Sequence, residues 1–189
     1  MKSYLKFLTE QKKDTAVFTF GRFNPPTVGH EKLITATETA AKSVGGDYFV
    51  YPSHTQDTKK NPLTHAQKIK YMKLMFTRHK SNIIKTKGKD PLKIVSEIYK
   101  KKYSNLIMVV GSDRVKEFKT LLQRYNGEDG KHGFYDFKNI KVMSAGERDP
   151  DAEGAEGMSA SKMRKAAVEG DFQSFRVGTP STLDDVNTK

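Results

Sequence analysis

Ala16-Val17-Phe18-Thr19-Phe20, followed by Gly21-Arg22-Phe23-Asn24-Pro25-Pro26-Thr27-Val28-Gly29-His30, is the stretch on which the reading of this chain turns. The apolar, β-prone run ending in glycine predicts a short buried strand. A turn-rich segment comes next. From about Gly29 to Val44, Leu33, Ile34, Ala36, Ala40 and Ala41 then recur at helical spacing, until Gly45-Gly46 stops the helix. Strand, glycine turn and helix in that order make the first half of a βαβ unit. In open α/β sheets the space beyond the carboxyl end of such a strand is where ligands bind.

The alternation continues downstream. Asp47-Tyr48-Phe49-Val50-Tyr51-Pro52 predicts a second strand, and a polar loop over 53–62 leads to a helix with Thr64 as its N-cap. Residues 82–84 predict a brief third strand, and Pro91 suits the first turn of the helix behind it. Leu106-Ile107-Met108-Val109-Val110 is apolar on both faces, as a central parallel strand is. A helix over 113–125, a Gly- and charge-rich insertion over 126–137, a fifth strand at 140–143 and a helix capped by Ser161 complete the pattern. The expectation is an α/β, Rossmann-like three-layer sandwich with a five-stranded parallel sheet. Its domain spans 14–170, between an amphipathic helical extension at 1–13 (Tyr4, Leu5 and Leu8 on one face) and a polar tail at 171–189.

A chain of 189 residues with about a third apolar content supports one core rather than two. The absence of cysteine excludes disulfides, thiolate catalysis and Cys-ligated zinc. No apolar stretch is long enough for a transmembrane helix, and the first residues lack the core of a secretory signal, so a soluble cytoplasmic protein is expected. The formal charge of +12 attracts polyanions, whether nucleotides or nucleic acid. No nucleic-acid recognition motif accompanies the charge, and aromatics do not interleave with lysines as a stacking platform would. A nucleotide is therefore favoured over nucleic acid, and a homo-oligomer is left open.

Two constellations carry chemistry. In the first, Gly21 lets the chain turn and lets backbone N–H groups approach a phosphate, Pro25 stiffens the loop, and Gly29 opens the helix. The helix start brings amides and partial positive charge, and His30 in the first turn can add an imidazole N–H. The second is Met158-Ser159-Ala160-Ser161-Lys162-Met163-Arg164, where hydroxyls, helix amides and cations converge before the last helix. Gly111-Ser112-Asp113 after the central strand could line the same pocket. Arg148-Asp149-Pro150 and the acidic run behind it could form a lid.

These strings carry a resemblance. Gly21 to His30 is similar to the G-x-F-x-P-x-[HT]-x-G-H signature of the cytidylyltransferase-like nucleotidyltransferases, with Thr27-Val28-Gly29-His30 as its TxGH form. Met158 to Arg164 resembles that family's I-S-S-T-x-x-R motif, departing from it at Ala160 and Ser161. Gly111-Ser112-Asp113 stands where the family commonly has G-x-D. Ser53-His54-Thr55 with Asn61-Pro62-Leu63-Thr64 resembles the S-H-T…N-P-F-T stretch of archaeal-type nicotinamide-mononucleotide adenylyltransferases. The F-G-R-F-N-P-P-T-x-G-H string is also similar to nucleotidyltransferase-like proteins of large tailed bacteriophages, in which case the cytoplasm would be the host's.

The resemblance implies transfer of a nucleoside monophosphate unit, AMP from ATP or CMP from CTP, to a small phosphorylated acceptor such as nicotinamide mononucleotide, with release of pyrophosphate. Phosphopantetheine, FMN and phospho-alcohol acceptors use the same motifs. His30, Thr27, Arg22, Lys162 and Arg164 would be catalytic. Gly21, Phe23, Asn24, Pro25, Gly29, Gly111, Ser112, Asp113, Ser159 and Ser161 would bind nucleotide, and Ser53, His54 and Asn61 the acceptor. Mg²⁺ would bridge phosphate oxygens, with no metal site built from protein ligands alone. A non-catalytic nucleic-acid- or virion-associated protein that keeps the fold is the reading from another class.

Overall fold

The structure is a computed structural model and describes residues 13–146 and 158–188. The expected extension at 1–13, apart from Lys13, and the expected lid at 148–157 lie outside the described residues.

Four strands, β1 (Thr15–Gly21), β2 (Asp47–Pro52), β3 (Asn105–Val110) and β4 (Asn139–Ser144), form one parallel sheet in the order β2-β1-β3-β4. Alternation along the strands sorts side chains to two faces. Val17, Val50, Ile107 and Val109 meet helix α1 (Val28–Ser43) and, towards β2, helix α2 (His65–Met75). Ala16, Phe18, Tyr51, Leu106, Met108 and Val110 meet helices α3 (Pro91–Tyr99) and α4 (Val115–Arg124). Three layers result, as expected from a Rossmann-like α/β chain.

Among the described residues the sheet has four strands, not five. The stretch at 82–84 touches β2 through a single parallel bridge, Val50 to Ile83. Asn82 ends a 3₁₀ turn (Thr77–Asn82) and its side-chain amide donates to the Tyr48 carbonyl, while the Ile84 amide donates to the Val50 carbonyl at 2.9 Å, so only Ile83 and Ile84 lie along the edge. Ile83 is buried by Phe76, Met72 and Met75, so its apolar character reports a core contact rather than a ladder.

Helix starts follow local chemistry. Thr64 and Asp90 cap α2 and α3, each accepting from the amide three residues on, and Pro91 occupies the first turn of α3. Helix α5 (Ala160–Glu169) is capped by Ser159 and not by Ser161. The Ser159 hydroxyl accepts from the Lys162 amide, which leaves Ser161 inside the first turn.

The segment after Gly170 does not trail away as a polar tail. Helix α6 (Phe172–Val177) and helix α7 (Asp185–Thr188) form there. Leu183 is buried in the cluster of Phe23, Ile34 and Met72, and the Thr182 hydroxyl donates to the Met75 carbonyl at 2.8 Å. The Gly178 carbonyl accepts from the Val28 amide at 3.0 Å, closing part of the α1 start. A Cβ at Gly178 would stand 2.4 Å from the Met163 sulfur, so this contact admits only glycine without rearrangement. Apolar Leu183 and a bare glycine, few as they are, suffice to dock a polar stretch.

Candidate functional site

β1 lies inside the sheet. The chain leaves it through α1 towards β2 on one side, while β3 pairs with it on the other. Connections therefore diverge beyond the carboxyl ends of β1 and β3, and a crevice opens there. A cavity of about 420 Å³ occupies this place. Arg22, Phe23, Asn24, Thr27, Gly29 and His30 line it from the β1–α1 loop, Gly111 from the end of β3, and Ser159, Ser161 and Arg164 from α5 and its cap. Two segments distant in sequence thus share one wall. A larger open groove of about 780 Å³ runs beside it along α1, sharing Gly29 and Lys32, with a mostly apolar lining.

The loop is built around a buried aromatic ring. Phe23 has a left-handed backbone (φ 45°), which an L-residue adopts at a cost of about 1–2 kcal/mol. In return its ring is 1 % exposed and lies against the imidazole of His30, centroids 4.9 Å apart. A Cβ at Gly21 would approach that ring at 3.0 Å. Gly21 thus makes room for Phe23, which supports His30 from below.

The His30 ring is also held by hydrogen bonds. The Thr27 amide donates to His30 Nδ1 at 2.9 Å, and the Thr27 hydroxyl lies 3.0 Å from the same nitrogen. The imidazole takes the part that Glu or Gln plays in a capping box. Because Nδ1 accepts an N–H, the proton of the neutral ring is placed on Nε2, which makes that atom a donor. Thr27 itself is buried, and its hydroxyl lies against the imidazole.

Asn24 is fully used by the protein. Its amide donates to the Leu63 carbonyl and its oxygen accepts from the Leu63 amide, both at 3.0 Å, which fastens the β1–α1 loop to the segment before α2. Its carbonyl accepts from Arg164 Nη1 at 2.7 Å, while Arg164 Nη2 donates to the Ser161 hydroxyl at 2.9 Å. Arg164 thereby spans both motifs.

The other expected site residues fall in different places. Asn61 lines the cavity, its amide donating to the Asp57 carboxylate. Ser53 and His54 do not line it: Ser53 is buried, and His54 Nε2 is 2.8 Å from the Thr86 carbonyl. Lys162 is exposed and outside the lining, as are Ser112 and Asp113. Pro25, half-buried after a cis peptide bond, is likewise outside it.

Lys32, Leu33, Ala145 and Gly146 line the cavity without having been singled out as site residues, and Met158, which opens the second motif, lines it too. Signals for the four existed. Lys32 and Leu33 follow Gly29 at helical spacing, and Ala145-Gly146 directly follow a strand's carboxyl end, the position that exposed Gly21 and Gly111.

Arg22, Lys32 and Arg164 give the lining three cations, and it holds no carboxylate among the described residues. Together with the start of α1 this suits a polyanionic ligand. No group of three His, Asp or Glu side chains able to hold a metal occurs among the described residues. No helix among the described residues is long and apolar enough to cross a membrane.

Comparison with known proteins adds one match. A family model described as cytidylyltransferase-like aligns with residues 18–166, which span β1 through α5 and both walls of the cavity. No curated protein matches the chain.

Proposed function

The chain belongs to the cytidylyltransferase-like family of nucleotidyltransferases, and from that premise we propose that it transfers an NMP unit from an NTP to a phosphate-bearing acceptor, releasing pyrophosphate. The observation that carries this reading is that His30 and Arg164 line one cationic cavity at the divergence of β1 and β3. The archaeal-type matches at Gly21-Arg22-Phe23 and Ser53-His54-Thr55 favour ATP as donor and a mononucleotide such as nicotinamide mononucleotide as acceptor. Similarity of the first motif to tailed-phage proteins supports a phage origin.

An acceptor phosphate oxygen attacks the α-phosphorus of the NTP, the bond to the β-phosphate oxygen breaks, and pyrophosphate leaves. Nucleophile and leaving group are already anionic, so positioning and charge stabilisation do the work. His30 donates from Nε2 to an α-phosphate oxygen as charge grows there. Thr27 acts as a positioning residue, because its amide and hydroxyl both address Nδ1. Arg164 and Arg22 neutralise the polyphosphate, with Lys162 adding charge from outside. Mg²⁺ would arrive with the NTP and lower the charge of its phosphates.

The test is to incubate the full chain with each NTP, Mg²⁺ and a panel of phosphorylated acceptors, and to measure pyrophosphate. Release that requires one NTP and one acceptor is the expected result. Absence of release with every pair would end this reading.

A further inference from the structure

The positive charge is not spread along the chain. Between Thr58 and Lys93 there are eleven lysines and arginines and a single acid, Asp90. That stretch supplies most of the chain's formal +12. Two of its cations are used inside the protein: Lys68 is buried on the Ser53 and Thr55 carbonyls, and Arg78 pairs with Glu38. Lys59, Lys60, Lys70, Lys80, Lys85, Lys87, Lys89 and Lys93 are exposed, and none makes an ion pair among the described residues.

The topology brings part of this charge to the cavity. Ile83 bridges Val50 in parallel, so the chain after it leaves the sheet at the same end as the loop after β2. That is the end where the cavity opens. The two segments are tied together there, His54 Nε2 lying 2.8 Å from the Thr86 carbonyl. Thr86 and Gly88 are buried between Lys85, Lys87 and Lys89, so the three lysines are exposed at alternate positions. On the other segment, Lys59 and Lys60 sit in a turn closed by the Asp57–Asn61 bridge, and Asn61 lines the cavity. A track of lysines therefore runs from the cavity wall over the β2 edge.

A mononucleotide acceptor carries too few phosphates to engage this track. Resting on the reading above, we propose a further acceptor beside the small one: a single-stranded nucleic acid whose terminal phosphate enters the cavity while its following phosphates lie on Lys59, Lys60, Lys85, Lys87 and Lys89. The terminal phosphate oxygen bonds to the α-phosphorus of the NTP and pyrophosphate departs, leaving the strand capped through a phosphoanhydride. A single strand fits better than a duplex because only a strand end can enter a cavity of about 420 Å³. A membrane surface is disfavoured, because Leu74 is the one large apolar side chain between Thr58 and Lys93 that is exposed. Affinity built on phosphate contacts falls steeply with salt.

Binding of a 5′-phosphorylated single-stranded oligonucleotide of about twelve nucleotides, with its 3′-phosphorylated counterpart alongside, tests the track by anisotropy at low and moderate salt. Reversal of Lys59, Lys60, Lys85 and Lys87 to Glu should weaken binding about tenfold or more and flatten its salt dependence. Reversal of Lys116, Lys119, Lys131 and Lys138 to Glu, elsewhere on the surface, should cost about twofold or less. Equal losses in the two variants, or no binding by the native chain, would overturn the track.

NTP labelled at the α-phosphate should then pass its label to an oligonucleotide. Label transfer to small acceptors alone would overturn the proposed acceptor while leaving nucleotidyl transfer in place. Absence of pyrophosphate release with every acceptor, whatever its size, would sink both readings, even if the strand still bound.

Discussion

The amide of Thr27 donates to Nδ1 of His30 at 2.9 Å, so a backbone atom, independent of side-chain identity at position 27, decides which imidazole nitrogen carries the proton. The first two predictions follow from that bond. His30→Ala should retain the fold and NTP binding while kcat falls by roughly 10²–10³, as removal of one transition-state donor does. Turnover within a few-fold of the native chain would take the imidazole out of the chemistry.

Thr27→Ala removes the hydroxyl but keeps the amide. Turnover should drop by about tenfold or less, far short of the His30 variant, because the amide still fixes the ring. A loss as large as that of His30→Ala would mean that the hydroxyl itself reaches the substrate.

Arg164 holds the Asn24 carbonyl and the Ser161 hydroxyl at once. Arg164→Lys keeps a charge but cannot span both partners, since a lysine presents a point charge in place of a planar fork. The NTP KM should rise about tenfold with a smaller change in the acceptor KM. Equal changes in both would place the guanidinium elsewhere in the reaction.

Gly178→Ala puts a methyl group where the Met163 and Met158 side chains now lie. Overpacking of this kind costs about 1–3 kcal/mol. Because the Gly178 carbonyl caps the start of α1, NTP affinity should fall together with Tm. A lower Tm with unchanged affinity would separate the C-terminal segment from the site.

Acid should loosen the segment before α2. Burial, with the neighbouring His54 and Lys68 adding repulsion, lowers the His65 pKa from 6.5 to about 4. Between those values the unfolded chain binds a proton that the folded chain does not. The contribution is therefore complete above pH 6.5 and declines as the pH falls towards 4. Buried His79 is lowered in the same direction and adds to the decline. A His65→Gln variant should show a shallower fall in Tm across that window. An unchanged slope would exclude His65 as a source of acid sensitivity.

Much of the fold was legible because its signals are local. β3 reads as a central strand from apolar character alone, and Thr64 and Pro91 mark helix starts through side-chain chemistry within one turn. The cavity lining was legible at His30, Gly29 and Arg164 for the same reason, each sitting near a helix start in a recognisable string. What escaped depends on distant partners. Ile83 looks like strand residue and helix-packing residue alike, and only the commitment of Asn82 to Tyr48 decides between them. Asn24 reads as a ligand-facing polar group until Leu63 is seen to take both ends of its amide. Ser161 reads as the cap although Ser159 takes that place, since either serine can reach the amide three residues on. The polarity of 171–188 concealed how little apolar surface docking requires.

The bond from Arg164 to the Asn24 carbonyl joins positions 140 residues apart. During translation the glycine- and proline-rich loop leaves the ribosome long before its guanidinium partner exists, and before Gly178 can cover the helix start behind it. A nascent chain therefore carries one wall of the cavity well before the other, and gains the second only once α5 has been made. The cavity is completed after the sheet that supports it is in place.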